Sequence, residues 1–246
     1  MLVSGATYGN ACAAILEAAR RRQSLLVAAT SVHGVTIGAT NQTFRAELNA
    51  FDIVTPDGQP VRWALNLLHQ ADVPERVYGP TLMLQVCRAA ARDGLSVYLY
   101  GGRPEVLERL VDSLQMQVPG LQIAGHRSPP FGRPIVEADA DDVRAIRESG
   151  AGLVFVALGC PRQEHWAYVH REQLSMPIVC VGAAFDFLAG TLKQAPVWMQ
   201  KRGLEWFFRL MMEPRRLWRR YATIVPFFFV LVTRQYAAQL VQRRSP

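Results

Sequence analysis

Four short stretches of the chain place acids, amides and glycines where a ligand could meet them. Thr55-Pro56-Asp57-Gly58 sets a carboxylate beside a glycine just past a short apolar run. That arrangement suits a general base, and it equally suits an ordinary Asp-Gly turn. In Tyr100-Gly101-Gly102-Arg103-Pro104-Glu105, two glycines let a ligand approach the backbone, and the helix start that follows offers N–H groups to a phosphate. A tight strand-to-helix turn with Pro104 in its first turn would use the same residues. Gly159-Cys160-Pro161-Arg162-Gln163-Glu164-His165-Trp166 brings Gln163 and Glu164 into a first helical turn, within reach of a base or ribose. The helix dipole alone also favours an acid there. Last, Gly182-Ala183-Ala184-Phe185-Asp186-Phe187 sets an acid between two phenylalanines, so Asp186 must find either a hydrogen bond in the core or a ligand.

Other chemistries find little support. No G-x-G-x-x-G fingerprint, Walker motif or G-x-S-x-G elbow is present. Asp139-Ala140-Asp141-Asp142 contains a D-x-D that could hold a divalent ion, but acids are expected at a helix start in any case. His33, His69, His126, His165 and His170 show no metal-ligand spacing. Cys12, Cys87, Cys160 and Cys180 are far apart, form no C-x-x-C pair, and read as reduced thiols of a cytosolic protein.

The elements that must hold these stretches follow from periodicity. Helices are expected at residues 11–22, 43–49, 61–69, 81–92, 104–116 and 143–148, and from Pro161 onward. Strands are expected at 25–29, 52–55, 95–100, 153–158 and 177–181. The strands are apolar on both parities, as strands buried on both faces should be. Alternation of strand and helix predicts an α/β fold, with a Rossmann-like, doubly wound and mainly parallel sheet. Pro129 to Pro134 reads as a stiff loop.

The charge is unevenly distributed. Lys201 to Pro246 carries ten basic residues against Glu205 and Glu213, a net +8, whereas the whole 246-residue chain is +7. Residues 1–200 therefore sum to −1. The same segment holds Trp206, Phe207, Phe208, Met211, Met212, Trp218 and Tyr221. We expect residues 1–195 to form the core and 196–246 a basic, aromatic-rich helical appendage. A lipid bilayer with phosphate head groups is its best-fitting partner. The apolar run Ala222 to Val232, interrupted by Thr223 and Pro226, is too short to cross a bilayer, which takes about 20 residues. No secretory signal follows Met1. The expected location is therefore cytoplasmic and peripheral on the inner face of the membrane.

Taken together, the stretches resemble the WecG/TagA/CpsF family of bacterial glycosyltransferases. The resemblance rests on Thr55 to Gly58, Arg76-Val77-Tyr78-Gly79-Pro80, the Gly101-Gly102 turn, Gly159 to Glu164, Gly182 to Gly190 and Gln194-Ala195-Pro196. It continues in Gly203-Leu204-Glu205-Trp206 through Arg209, then Glu213-Pro214-Arg215-Arg216 and Arg220-Tyr221. These segments occur in the family's order and cover roughly residues 25–225. The resemblance implies inverting transfer of a sugar from a UDP-sugar to a polyprenyl-diphosphate-linked saccharide. It also implies no cofactor or essential metal, and a C-terminal segment that docks on the membrane. By the family's motif Asp57 would be the catalytic base, and Arg76, Gln163 and Asp186 would line the donor site. Where the family has a Thr-x-Asn motif, this chain has Ala29-Thr30-Ser31, whose hydroxyls can still donate hydrogen bonds. Arg209, Arg215 and Arg216 could grip the acceptor diphosphate or the leaving group, because the guanidinium fork matches phosphate oxygens.

Two rivals remain. A nucleotide-dependent oxidoreductase on the same core is disfavoured by the missing glycine fingerprint. A basic membrane- or nucleic-acid-binding module without catalysis fits the tail but leaves Asp57, Gln163 and Asp186 unexplained. No nucleic-acid partner is expected.

Overall fold

The computed structural model describes residues 2–244 apart from 131, 133 and 136; the side chains of Arg243 and Arg244 also lie outside the description. Two residues of the expected 129–134 loop, and the last residues of the basic tail, thus fall outside the described residues. The order of elements is α1 (Tyr8–Arg21), β1 (Leu25–Thr30), α2 (Val32–Thr40), α3 (Gln42–Asn49), β2 (Ile53–Pro56), α4 (Gln59–His69), α5 (Gly79–Arg92), β3 (Ser96–Gly101), α6 (Pro104–Gln117) and β4 (Gln122–Arg127). There follow α7 (Ala140–Glu148), β5 (Leu153–Ala157), α8 (Arg162–Leu174), β6 (Pro177–Cys180), α9 (Ala184–Leu188), α10 (Val197–Lys201), α11 (Glu205–Met212) and α12 (Pro214–Arg244).

Six strands form one sheet in the order β2-β1-β6-β5-β3-β4, and every pairing is parallel. Parallel strands need crossovers, so helices cover both faces and the strands are buried on both sides. Along β3, Val97 and Leu99 point into a core shared with α1, α5, α6 and α9. Tyr98 and Tyr100 point the other way, into a core shared with α3, α7 and α8. Each large apolar side chain so buried contributes roughly 1.5–3 kcal/mol. On the second face Tyr100 stacks on Trp166 at 4.3 Å, and Trp166 on His170 at 4.0 Å.

Three features depart from the sequence expectations. Helix α2 was not foreseen, since Gly34, Gly38 and the β-branched Val32, Val35, Thr36 and Ile37 are poor helix formers. Contacts with α3 and α12 hold it in place. Edge strand β4 was also missed, because its QIAGHR sequence is half-exposed and carries a glycine. The third departure is a correction. The apolar run that looked too short belongs to α12, one continuous helix of 31 residues that passes through Pro226. Its stretch Pro214–Gln242 is long and apolar enough to cross a membrane, with a mean hydropathy of 1.4 in its best window. Yet α12 packs against α2 and α4, buries Leu217 and Phe228, and brings Gln235 to His69.

The D-x-D stretch is a helix start. Asp139 caps α7 by accepting from the N–H groups of Asp141 and Asp142, both at 3.0 Å. Asp142 is buried, pairs with Arg127 at 2.9 Å, and accepts a short hydrogen bond from the Tyr100 hydroxyl.

Candidate active site

The carboxyl ends of parallel strands are where such sheets bind ligands, and here they gather most of the foreseen residues. Asp57 follows β2. Its N–H donates to the Thr30 carbonyl at 3.0 Å, which fixes it against the end of β1. Its Oδ1 accepts from the Gly79 N–H at 3.1 Å. No described residue donates to Oδ2. Gly79 also packs against the chain just after β6, where a Cβ would lie 2.9 Å from the Val181 carbonyl oxygen. Burial pushes the Asp57 carboxyl up to about 6; Arg76 and Arg209 pull it down, and Glu205 pushes it further up. A carboxylate with one oxygen anchored, the other open and an affinity near neutrality can take a proton.

Arg76 lies beside it. One guanidinium nitrogen sits 2.6 Å from Glu205 and 3.4 Å from the Asp57 carbonyl oxygen. Another donates to Gln200 at 3.0 Å. The guanidinium carbon is 4.2 Å from the centre of the Tyr78 ring. Arg76 and Glu205 are only 11% and 14% exposed, so this pair is largely out of bulk water. It ties α11 to the loop before α5. Gln59 reaches the Lys201 carbonyl, and Gly203 lies so close to Trp63 that a Cβ would meet its ring at 2.7 Å. These contacts seat α10 and α11 over the end of β2.

At the ends of β1, β5 and β6 the polar groups are more deeply set. Thr30 is buried, and its hydroxyl oxygen has no partner among the described residues. Ser31 is the N-cap residue of α2 without a side-chain cap bond. Gln163 accepts from the Gly182 N–H at 3.1 Å and donates to Glu164 at 2.9 Å, bracing the turn after β6. Burial raises the Glu164 carboxyl, and its second oxygen has no hydrogen-bond partner among the described residues. The thiols of Cys160 and Cys180 are pushed well up by burial, with Glu164 nearby.

Other foreseen residues lie differently. The Gly101-Gly102 turn is closed by the neighbouring strand: the Gly102 N–H donates to Ala157, and a Cβ on Gly101 would lie 2.6 Å from the Ala157 oxygen. Close packing on β5 by itself requires a glycine at 101, whereas a Cβ on Gly102 would make ordinary contact with Phe185 at 3.4 Å. Asp186 is half-buried in α9; its Oδ1 takes a hydrogen bond from the Thr191 hydroxyl at 3.3 Å. Arg209 stands over the Phe187 ring at 5.8 Å, with its Nε buried and without an acceptor among the described residues. Arg215 is exposed, and Arg216 is exposed and paired with Glu213 at 2.5 Å.

The sequence reading assigned no site role to Glu205, Gln200, Arg220 or His33. Burial and then Arg220 lower His33 to about 4, so it is neutral. Arg220, whose side chain still reaches solvent, is itself lowered, first by partial burial, with repulsion from Arg209 and Arg216 adding to it. One signal was available: Glu205 and Glu213 are the only acids in the basic tail, and each meets an arginine.

The model of the glycosyl transferase WecG/TagA/CpsF family matches residues 1–242. The chain belongs to that family. Two similar proteins are the N-acetylglucosaminyldiphosphoundecaprenol N-acetyl-beta-D-mannosaminyltransferases of Bacillus subtilis (strain 168) and Bacillus spizizenii (strain ATCC 23059 / NRRL B-14472 / W23). The first is 28% identical over 178 residues, covering 72% of this chain and 67% of the relative. The second is 28% identical over 199 residues, covering 80% and 75%. As a member of this family the chain is a glycosyltransferase of polysaccharide biosynthesis on a Rossmann-like core, and Asp57 lies just past the carboxyl end of β2.

Proposed function

We propose that this glycosyltransferase moves a sugar from a UDP-sugar to a saccharide carried on polyprenyl diphosphate, with inversion, and that Asp57 is the general base. The observation that carries the reading is Asp57 itself: Oδ1 held by Gly79, Oδ2 open, and a proton affinity near neutrality. A sugar hydroxyl is a weak nucleophile. As its oxygen bonds to the donor's anomeric carbon, its proton passes to Asp57 Oδ2, and the bond to the UDP oxygen breaks with both electrons leaving on the diphosphate. The relatives' name supports the acceptor class: they act on N-acetylglucosaminyldiphosphoundecaprenol.

The departing diphosphate needs positive charge. Arg209 has a buried Nε without an acceptor among the described residues, and the positive charges of Arg209 and Arg216 weigh against that of Arg220. Such a cluster gains from an anion placed among it. Arginines are the counter-charge in this reading, which needs no metal ion. Thr30, Ser31, Arg76, Gln163, Glu164 and Asp186, around the strand ends, would bind the donor.

Residues 196–246 serve in this reading as an appendage that docks on anionic lipid at the cytoplasmic face. Trp198, Phe207, Met211, Trp218 and Phe229 are exposed beside Arg202, Arg215 and Arg219. Leu217 and Phe228 are buried and α12 touches α2 and α4, which favours a helix lying along the membrane surface. Calorimetric titration with UDP in chelator, with NAD as control, tests the donor class. UDP binding without NAD binding is expected; silence toward UDP, with and without anionic vesicles, would leave the binding-module reading in its place.

A further inference from the structure

Glu205 is the wrong charge for its place. A site that receives a nucleotide diphosphate gains from cations, yet α11 presents a carboxylate 14% exposed and 2.6 Å from the arginine nearest the base. We propose that Glu205 is a positioning residue: it holds the Arg76 guanidinium away from the Asp57 carboxylate, so that seating α11 on the core keeps Asp57 basic. This rests on the reading of Asp57 as the general base.

The contacts of Arg76 carry the inference. Its guanidinium faces Glu205 of α11, Gln200 of α10 at 3.0 Å, the Tyr78 ring and the main-chain oxygen of Asp57; none of its recorded hydrogen bonds goes to the Asp57 carboxylate. Yet the two residues are neighbours, because the Val77 N–H donates to the Pro56 carbonyl at 2.9 Å. Both acidic and amide partners of Arg76 come from the appendage. Without them, the nearest anion for the guanidinium is the Asp57 carboxylate, and a carboxylate paired with arginine is a poorer base. The charged and titratable groups facing Asp57 are Arg76, Glu205 and Arg209, with Tyr8 and Tyr78. Burial raises both tyrosines, so they stay neutral near pH 6. Removing the Glu205 charge takes away a repulsion on Asp57 and releases Arg76 toward it, and the two effects have the same sign.

The test is a carboxyl-carbon NMR titration of the full-length protein labelled with 13C-aspartate, with Asp57 assigned by its loss in Asp57→Asn. The wild type should titrate with a midpoint near 6. Glu205→Gln should move that midpoint to lower pH. Glu205→Asp, which keeps the charge but shortens the reach, should move it less in the same direction; it also serves if Glu205→Gln does not fold by circular dichroism. An unmoved or higher midpoint in a folded Glu205→Gln protein would overturn the inference and leave the role of Asp57 intact. Sugar transfer by Asp57→Asn at the wild-type rate would instead remove the base, whatever the titration gave.

Discussion

Asp57 makes its chemistry and its cost to folding visible at once. Its folded-state affinity for a proton, about 6, lies above the ordinary carboxylate value of 3.8. The folded state therefore favours the protonated form. That contribution is full below about pH 4 and is lost as pH rises through about 6. Asp57→Asn avoids the buried charge, and its amide oxygen can still accept from Gly79. We expect it to be more stable than the wild type at pH 8 by about 1–3 kcal/mol, with the difference closing below pH 4; thermal unfolding at the two pH values measures this. The same substitution should lower turnover by roughly 10²–10⁴ with UDP affinity retained. Loss of UDP binding too would make Asp57 a ligand-binding group. In the wild type, turnover should fall on the acid side as pH drops through about 6, which a pH–rate profile reads directly. The acid beside a glycine was legible in sequence. The family's motif also brought Arg76 to the same site, but the hydrogen bonds of Gly79 and Arg76 to Asp57 were not legible, since those partners lie 19 to 22 positions away along the chain.

Among the elements, those with strong periodicity were legible and those held by neighbours were not. β1, β3, β5 and β6 are apolar on both parities, so burial on both faces is written into their composition. α2 contains two glycines and several β-branched residues; packing against α3 and α12, which no local window contains, decides its state. The Gly101-Gly102 turn shows how one signature admits two causes. The glycines permit close backbone approach, and the structure puts β5 there. Gly101 has φ of 106° and its Cβ would strike the Ala157 oxygen at 2.6 Å. Gly101→Ala should thus destabilise the fold by about 1–3 kcal/mol or more. A denaturant midpoint equal to the wild type would contradict this packing explanation.

For the whole molecule, the governing feature is the separation of a near-neutral core from a basic, aromatic tail. If the tail meets anionic lipid, replacing Arg215 and Arg219 by Gln should weaken vesicle binding by about 1 kcal/mol per charge, roughly fivefold each. The loss should be greatest at low salt. Undiminished co-sedimentation with anionic vesicles would refute the tail's role. Point substitutions are a cleaner test than removing residues 196–246, because truncation would also uncover the faces of α2 and α4 that α12 covers.

The sequence by itself determined the parallel α/β core, the family and the charge asymmetry, because each follows from residue type and order: paired-parity apolar strands, ordered motifs and a count of arginines. Only the tertiary structure decided that the basic tail lends an acid to Arg76 in the loop before α5, that Gly101 packs against β5, and that the apolar run is part of a 31-residue helix that touches α2 and α4. These depend on which distant segments meet, and side-chain distance, burial and the charge of a neighbour exist only once the chain has folded.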